Sequence, residues 1–294
     1  MLGSRMQPLL VLGLLLASFL PMPELPEVET TRLGISPHVI GRKISEVIVW
    51  RWDLRWPVSP ELPELEGQTF LSVERRSKYL LMEASGGRML MVHLGMSGSL
   101  RVVSPGEEWR KHDHIGITLK GGMQLRYHDP RRFGMMLVVP ISEIPKHKLL
   151  VNLGPEPLEE NFTAQHLHMA LRNKTIALKV AVMDAKVVVG VGNIYASESL
   201  FRAGIHPALP ANKLTKPKAE KLVAAIKEVL AESIAQGGTT LRDFLNSDGQ
   251  PGYFKQRLFV YGRKGEACRV CGAEISHSVM GQRATFWCAG CQRR

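Results

Sequence analysis

The sequence predicts an α+β protein whose first half is a β-sandwich or barrel and whose second half is helical. Between residues 44 and 127, short alternating apolar runs are separated by glycine and proline clusters, a pattern typical of antiparallel β folds. After the proline-rich stretch 153–162, apolar residues recur at helical spacing instead. The segment 260–294 combines short strand patterns with all four cysteines.

A single helix is predicted before the strands. Val28, Thr31 and Ile35 recur at helical spacing within the stretch 24–41, and Gly41 can end the helix. We expect this leading helix to pack on the sheets that follow. The strands are predicted at Ile44–Trp50, Phe70–Val73, Tyr79–Glu83, Met89–His93, Ile115–Leu119 and Gln124–Tyr127.

The second half contains four predicted helices. The clearest amphipathic pattern lies between Lys218 and Ala235, where the apolar residues fall on one face. The helices are predicted at Ala164–Arg172, Ile194–Ala203, Lys216–Gln236 and Thr240–Leu245.

The chain is strongly basic. Lysine and arginine total 38 against 27 aspartate and glutamate residues, which gives a net charge of +11 and a pI near 9.7. This excess favours a polyanionic partner, either nucleic acid or an anionic membrane. Charge alone does not separate these partners from a merely basic soluble protein.

The cysteines form the pattern Cys268-x-x-Cys271 and Cys288-x-x-Cys291. Four thiolates at this spacing predict a zinc ribbon that holds one structural Zn²⁺, with reduced structural cysteines as the alternative. Clustering near one end favours a reducing compartment over a secreted disulfide scaffold. Arg283, at the tip of the predicted finger, would contact phosphate or lie in solvent.

Residues 1–21 need a separate interpretation. Arg5 and the apolar run from Leu9 to Leu16 resemble a secretory signal, although no clear cleavage site follows. The run is too short for a membrane span. The alternative is that translation starts at Met22 and that residues 1–21 are not part of the working protein.

A series of motifs begins at Met22. MPELPEVET (22–30) is followed by RRSKYLL (75–81), HLGMSGSLR (93–101), KHDH (111–114), DPRRFG (129–134) and LGPEPL (153–158). VVGVGNIYASESLFRAGIHP (188–207), QGGTTLRDFLNSDGQPGYF (236–254) and VYGRKGEACRVCG (260–272) come after them. In this order the motifs resemble the formamidopyrimidine-DNA glycosylase family, and the resemblance covers essentially all of residues 22–294.

The resemblance implies a domain organisation. It implies an N-terminal catalytic β-sandwich domain at residues 22–152 and a helix–two-turns–helix DNA-binding domain at 153–259. A zinc-finger hairpin with four cysteine ligands would follow at 260–294. The glycine-rich loop Ser247–Phe254 resembles the family's loop over the flipped damaged purine.

The resemblance also implies the catalytic residues. Pro23 would become the N-terminus and attack the sugar C1′ through its secondary amine, because an α-amine is far less basic than a lysine side chain and has an appreciable neutral fraction near pH 7. Glu24 would be the general acid/base that protonates the sugar ring oxygen. Lys78 resembles the lysine of the lyase step, and Arg283 resembles the arginine of the final elimination. The implied products are a released base and a one-nucleotide gap after β- and δ-elimination.

Further residues match family positions that contact DNA. The vacated stack would be filled by the trio Met96, Arg131 and Phe133 once the damaged base has left the duplex. Phosphate contacts are implied for His112, Arg132, Lys174 and Asn193, with Lys179 a weaker candidate. The expected partner is therefore double-stranded damaged DNA. We expect a monomer in the bacterial cytoplasm, associated with the nucleoid when bound to DNA, and no membrane partner.

The position of Pro23 departs from the family pattern. In the chain as written, Pro23 lies inside a peptide bond and cannot form an iminium. Three interpretations are open: translation starts at Met22, a leader is removed, or the extended protein binds DNA without glycosylase chemistry. The first is favoured.

Three rival functions remain open at the level of the sequence. The rival enzymatic class is endonuclease VIII, which prefers oxidised pyrimidines. Two further alternatives are not enzymes: a zinc-finger protein that binds DNA without catalysis, and a protein that binds a membrane surface. The motifs PELPEVE (23–29) and SDGQPGYF (247–254) favour the purine branch.

Overall fold

The structure, a computed structural model, describes residues 22–238 and 257–293. The predicted leader 1–21, the predicted helix Thr240–Leu245 and the loop Ser247–Phe254 lie outside the described residues.

Helix α1 runs from Leu25 to Val39, close to its predicted span. Pro26 lies in its first turn. Backbone N–H groups there have no partner within the helix, so the N–H that proline lacks costs no hydrogen bond. Val28, Ile35 and Val39 are buried at helical spacing and belong to the same apolar core as the strands. The leading helix therefore closes one side of the β domain, as the sequence predicts.

The described residues of the first half form two four-stranded antiparallel sheets, in the strand orders β1-β6-β7-β5 and β2-β3-β4-β8. One shared core lies between the two sheets, so this half is a sandwich rather than a barrel. The strands are β1 (Ile44–Val49), β2 (Phe70–Arg76), β3 (Tyr79–Ala84), β4 (Arg88–His93), β5 (Ser99–Val103), β6 (Asp113–Leu119), β7 (Gln124–His128) and β8 (Met135–Pro140).

Two strands, β5 and β8, were not predicted from the sequence. In β8 (MMLVVP) alternation is absent because the β2-β3-β4-β8 sheet is apolar on both faces. Met136 and Val138 face the sandwich core, whereas Met135 and Val139 pack under the segment 141–153. A continuous apolar run of this length does not distinguish a strand from a buried helix turn.

The second half is built around a long helix. Helix α5 (Lys216–Ala235) buries Leu222, Ile226, Val229 and Leu230 on one face. The other helices are α2 (Ala164–Leu171), α3 (Leu178–Val182) and α4 (Asn193–Arg202). All four contribute to one apolar core, and α5 contacts α1 as well as α2 and α4. The predicted helices at 164–172, 194–203 and 216–236 are confirmed to within two residues at each end.

The carboxyl-terminal strands form a hairpin, β9 (Ile275–Met280) and β10 (Arg283–Cys288). Gly281 and Gln282 both have positive φ, of 54° and 61°, as a two-residue type I′ turn requires. A side chain at Gly281 would meet Val180 of α3 at 2.9 Å, so the hairpin tip packs closely on the helical half.

Within residues 22–238 and 257–293, none of the helices combines the length and apolar character needed to cross a bilayer.

Candidate active site

A cavity of about 390 Å³, called here the central cavity, lies where the sandwich, the helical half and the hairpin meet. Both charged and apolar side chains form its wall, and they come from distant parts of the sequence. The lining residues are Met22, Glu24, Arg55, Trp56, Lys78, Tyr79, His93, Gly95, Met96, Phe133, Met135, Leu149, Met183, Val191, Gly192, Asn193, Tyr261, Arg283 and Ala284.

Glu24 is the buried acid of this cavity. One carboxylate oxygen accepts hydrogen bonds from the backbone N–H groups of Gly192 (2.8 Å) and Tyr195 (3.4 Å). The other oxygen accepts from the N–H of Ile194 (3.0 Å). The first turn of α4 offers N–H groups that have no partner within the helix, together with the positive end of its dipole. Glu24 is therefore held in one orientation by α4.

Burial controls the protonation of Glu24. Loss of solvation raises the pKa of its carboxyl to about 7, although the nearby Lys78 ammonium and the N–H groups of α4 lower it. Desolvation is the largest of these effects because Glu24 is only 2% exposed. A carboxyl with this pKa exchanges a proton with its surroundings near neutral pH, as a general acid/base must.

Pro23 is buried beside Glu24. The cavity wall contains Met22 on one side of it and Glu24 on the other, while Pro23 is absent from the described lining. The backbone N–H of Glu24 donates to the Glu27 carboxylate (2.9 Å), which fixes the chain as it enters α1. Removal of Met22 would therefore expose the Pro23 nitrogen next to Glu24.

Lys78 reaches the central cavity from the two-residue turn between β2 and β3. Ser77, the other turn residue, has φ of 58°, and its N–H donates to the buried Glu156 carboxylate (2.7 Å). His93 lies opposite, with its ring centroid 5.0 Å from that of Tyr79. Burial and the Lys78 charge lower the pKa of His93 to about 4, so the imidazole is neutral at pH 7.

Arg283 reaches the same cavity from the finger. Its strand is joined to the helices by the buried Lys179, whose ammonium donates to Asn193 Oδ1 (2.5 Å), the Ala284 carbonyl (2.9 Å) and Thr285 Oγ1 (2.9 Å). Burial lowers the pKa of Lys179 to about 8. Lys179, which the sequence placed as a weaker DNA contact, thus connects α3, α4 and β10 inside the protein.

Met96 and Phe133 lie on the sandwich side of the cavity and come from two loops in close contact. A Cβ atom at Gly95 would lie 2.5 Å from the backbone nitrogen of Gly134, so only glycine allows this approach. Arg131 does not reach the lining; its guanidinium lies over the Phe133 ring, 5.2 Å from the centroid. The structure therefore brings the implied trio together at one edge of the cavity.

Asp129 organises these two loops. Its buried carboxylate accepts hydrogen bonds from Ser97 Oγ (2.9 Å), the Gly134 N–H (2.8 Å) and Tyr127 Oη (3.2 Å). Ser97 Oγ in turn accepts from the Arg131 N–H (3.2 Å). Asp129 was not predicted as a site residue, because its role depends on contacts between segments that are distant in sequence.

The implied phosphate contacts are less tightly grouped. His112 and Arg132 share a separate cavity on the sandwich, and both have positive φ, of 78° and 59°. Asn193 lines the central cavity, whereas Lys174 lies apart and pairs with Asp184 at 3.0 Å. Burial and the neighbouring Lys111 lower the pKa of His112.

Other lining residues were not found by sequence reasoning. Arg55 and Trp56 follow β1, His93 ends β4, and Tyr261 precedes the finger. His93 and Tyr261 lie inside quoted motifs, which was the only signal for any of these residues. Single aromatic or basic residues carry no periodic pattern, so only the fold shows that they converge.

The four cysteines form a metal site. Their Sγ atoms all lie within 4.8 Å of one another. Two of the separations are 3.9 Å (Cys268 to Cys291) and 3.3 Å (Cys271 to Cys288). Zn–S bonds of about 2.3 Å in a tetrahedron place sulfur atoms about 3.8 Å apart, so these thiolates fit one Zn²⁺. A Zn²⁺ held by these four thiolates would join the open ends of the two hairpin strands and serve a structural role.

Comparisons with known proteins cover the same segments. Residues 22–136 match the model of the formamidopyrimidine-DNA glycosylase N-terminal domain, and residues 153–245 match that of the formamidopyrimidine-DNA glycosylase H2TH domain. Residues 265–294 match the model described as a zinc finger found in FPG and IleRS.

Relatives match the chain over most of its length. Formamidopyrimidine-DNA glycosylase of Serratia proteamaculans is 56% identical, and that of Xanthomonas campestris pv. campestris strain B100 is 53% identical. Each comparison covers 92% of this chain and 100% of the relative. MutM (Fpg) from Thermus thermophilus superposes with a TM-score of 0.83 at 41% identity, over 92% of this chain and 98% of that one.

A Lactococcus lactis Fpg variant in complex with Fapy-dG-containing DNA superposes with a TM-score of 0.86 at 33% identity, over 92% of this chain and 100% of that one. The sandwich, the helical half and the zinc hairpin, which meet at one cavity with an internal acid, define a zinc-finger DNA glycosylase. The chain belongs to the formamidopyrimidine-DNA glycosylase family.

Proposed function

We propose that this chain removes oxidised purines, among them 8-oxoguanine and formamidopyrimidines, from duplex DNA during base-excision repair and then cleaves the strand. The observation that carries the proposal is the buried Glu24, with a pKa of about 7, between the Met22–Pro23 segment and the first turn of α4. The family's curated relatives bear the name formamidopyrimidine-DNA glycosylase, and a solved relative is bound to Fapy-dG-containing DNA.

Base release requires a nucleophile at C1′ and a proton at the sugar ring oxygen. The Pro23 nitrogen forms a bond to C1′ as the bond between C1′ and the damaged base breaks, and the proton lost from the amine leaves with the base. Protonated Glu24 then gives its proton to the ring oxygen, which leaves C1′ as a hydroxyl group while the nitrogen lone pair forms the iminium. Binding by three N–H groups holds Glu24 in place for this transfer.

Strand cleavage follows from the iminium. The iminium withdraws electrons from C1′, so the C2′ proton becomes acidic and the 3′-phosphate leaves by β-elimination. A second elimination releases the 5′-phosphate. Lys78 and Arg283 both line the central cavity and supply positive charge for these departing phosphates.

The remaining residues hold DNA with the damaged base outside the stack. Met96 and Phe133 enter the gap, and Arg131, stacked on Phe133, contacts the unpaired partner base. His112, Arg132 and Lys174 contact phosphates of the duplex. For Lys174, contact with a phosphate requires the ammonium to leave its ion pair with Asp184 or to bind both groups at once. Asn193, whose amide oxygen accepts from Lys179, contacts a further phosphate from the lining of the central cavity.

The nucleophile assignment requires a free secondary amine. We infer that the active form begins at Pro23, after translation from Met22 and trimming of that methionine. The N-terminal family model begins at residue 22, and Met22 otherwise occupies part of the cavity wall. We also infer a monomer that acts in the bacterial cytoplasm, with domain boundaries at 22–152, 153–259 and 260–294.

Borohydride trapping tests this function. The chain translated from Met22 and the chain carrying residues 1–21 are each incubated with an 8-oxoguanine:cytosine duplex and borohydride. We expect a covalent protein–DNA adduct only from the first. Its peptide map should place the linkage at Pro23. Absence of an adduct from both would contradict the proposal and leave a DNA-binding protein without the chemistry.

A parallel assay separates the purine and pyrimidine branches. Release of 8-oxoguanine should exceed release of thymine glycol from matched duplexes. The reverse order would assign the chain to endonuclease VIII chemistry.

A further inference from the structure

A second cavity of about 530 Å³, called here the outer cavity, lies on the β1-β6-β7-β5 side of the sandwich. Two of its residues, His112 and Arg132, are already implied in phosphate contact. The exposed Trp50 and the cations Arg51 and Lys111 lie beside them, and no role has been given to these three residues. The lining residues are Trp50, Arg51, Lys111, His112, His114, Pro130 and Arg132.

Trp50 is exposed but held in a defined position. Trp50 is 67% exposed. Its backbone N–H donates to the His114 carbonyl (2.9 Å), and this hydrogen bond extends the pairing of β1 with β6. Its ring meets Trp109 edge to face, with centroids 5.8 Å apart and an interplanar angle of 90°. The indole is therefore presented to solvent without the freedom of an ordinary surface side chain.

Trp109 is itself supported from beneath. A side chain at Gly116 would meet the Trp109 ring at 2.6 Å, so glycine creates the space in which the ring lies. The Arg126 guanidinium lies over the same ring, 4.4 Å from its centroid. Gly116 and Arg126 are both buried residues of the β1-β6-β7-β5 sheet, which makes the tryptophan pair a rigid platform.

The charges around the platform suit an anion. Arg51 and Arg132 already share one carboxylate, that of Asp53, at 3.1 Å and 3.3 Å. The Asp53 side chain is 72% exposed, so its contacts are weak and a phosphate can displace it. Lys111 is exposed on the same cavity and adds a further positive charge.

The segment 50–56 connects the two cavities. Trp50 and Arg51 line the outer cavity, whereas Arg55 and Trp56 line the central cavity. The Arg55 N–H donates to the Arg132 carbonyl (2.8 Å), which ties this segment to the loop that carries the implied DNA contacts. A DNA strand that leaves the central cavity along this segment reaches Trp50.

We propose that the outer cavity binds one deoxyribose-phosphate unit of the damaged duplex away from the lesion, with the sugar against the Trp50 indole. The phosphate is bound by Lys111 and by the guanidinium groups of Arg51 and Arg132, in place of Asp53. This subsite deepens the proposed function and rests on DNA being the partner. Trp50 is the residue that distinguishes it from phosphate contact alone.

The test measures binding to a duplex with a tetrahydrofuran abasic analogue, which the enzyme cannot open to an iminium. Trp50→Ala should raise the Kd for a long duplex about tenfold, the effect expected when one face of an aromatic ring loses its apolar contact. Trp50→Phe should recover most of the affinity. Trp52→Ala is the matched control, because Trp52 is 45% exposed on the same segment but is not a lining residue.

Two further measurements assign the contact to this subsite. Two duplexes are compared, each shortened on one side of the lesion. On one of them Trp50→Ala and the unsubstituted chain should have the same Kd, whereas on the other the difference in Kd should persist. Lys111→Ala should reduce the slope of log K against log salt by about 1, whereas Trp50→Ala should leave the slope unchanged.

The inference is overturned if Trp50→Ala binds the long duplex as Trp52→Ala does, or if its loss of affinity persists on both shortened duplexes. Base release by the unsubstituted chain translated from Met22, measured on an 8-oxoguanine duplex of the same length, separates this failure from that of the proposed function. If the base is released but Trp50→Ala does not change the Kd, only the subsite proposal is wrong. If the chain neither releases the base nor binds the duplex, the proposed function is wrong as well.

Discussion

At the scale of single residues, two opposing effects set the pKa of Glu24. Its three N–H partners and Lys78 stabilise the carboxylate, and burial stabilises the neutral acid. Burial is the larger effect and leaves the pKa at about 7. A chain-terminal α-amine ordinarily has a pKa of about 8. The proposed acid and nucleophile are therefore both available near neutral pH.

The first prediction concerns the pH dependence of base release. The raised pKa keeps Glu24 protonated below about pH 7, so its activity as an acid is lost as the pH rises through 7. The amine gains activity as the pH rises toward about 8, which makes the profile bell-shaped with a maximum between the two values. Single-turnover rates from about pH 5.5 to about pH 9.5 would measure it.

Glu24→Gln provides the control for this profile. It should lower the rate about 10²- to 10⁴-fold and remove the alkaline decline. An alkaline limb that survives in Glu24→Gln would show that another group supplies the proton.

The second prediction concerns Gly192, where the backbone approaches Glu24 closely. A Cβ atom at this position would lie 2.5 Å from Oε1 of Glu24, and both groups are buried. Gly192→Ala should therefore displace the acid and lower base release about 100-fold or more. Trapping kinetics and thermal unfolding measure the two effects separately.

Combining Gly192→Ala with Glu24→Asp tests the cause. The shorter acid relieves the collision, so the double variant should recover thermal stability but not activity. Full activity in Gly192→Ala alone would mean that the carboxylate is free to move.

At the scale of secondary-structure elements, strain is concentrated at turns beside proposed DNA contacts. Four non-glycine residues of the described chain have positive φ: Ser77, His112, Arg132 and Gln282. Each is either a proposed contact or the neighbour of one. A left-handed conformation costs a non-glycine residue about 1–2 kcal/mol. The surrounding hydrogen bonds, such as that from Ser77 to Glu156, maintain these turns against that cost.

The third prediction concerns the finger, whose strands carry Arg283 into the cavity. Cys271→Ser should lower the zinc content and unfold the hairpin, because four thiolates provide most of the stability of so small an element. Lys179 would then lose two of its three acceptors, Ala284 and Thr285. We expect DNA affinity to fall while the β-sheet signal of the sandwich persists.

Zinc analysis, circular dichroism and anisotropy with a labelled duplex measure these changes. Val270→Ser is the matched control, since Val270 is exposed and lies between the first two cysteines. Undiminished DNA binding by zinc-free Cys271→Ser would exclude the finger from the interface.

At the scale of the whole molecule, one carboxylate links the two halves. Glu156, at the start of the helical half, accepts from Arg75 (2.5 Å), Arg76 (2.9 Å) and the Ser77 N–H (2.7 Å). Arg76 also donates to the carbonyls of Leu153 and Gly154. These contacts orient the turn that carries Lys78 toward the helical half.

The fourth prediction is that Glu156→Gln weakens this junction. Arg76 would lose its charged partner and Arg75 would retain only Glu29, which should lower the free energy of unfolding by about 3 kcal/mol. The lyase step should slow more than base release, because Lys78 is the displaced group. Denaturant unfolding and separate assays of the two steps measure this.

Glu159→Gln is the matched control, an exposed glutamate of the same segment. Equal slowing of both steps would indicate a general loss of folded protein rather than displacement of Lys78.

Much of the molecule could be predicted from the sequence. Alternation identified six of the eight strands, helical spacing identified α1, α2, α4 and α5, and the cysteine spacing identified the metal site. The motifs identified Glu24, Lys78 and Arg283 as candidates, although their roles remain proposals. Prediction failed for β8, whose two buried faces remove the alternation on which strand prediction depends.

The sequence by itself determined most of the elements, the zinc ligands and the residue types available for chemistry, because these depend on local spacing. Tertiary structure decided which of them meet. The N-terminus of α4 follows Glu24 by 168 residues yet fixes its carboxylate, and burial from all sides sets its pKa. The internal role of Lys179 and the Trp50–Trp109 platform likewise depend on contacts between distant segments. Local patterns encode which face of an element is buried, but not which partner covers it.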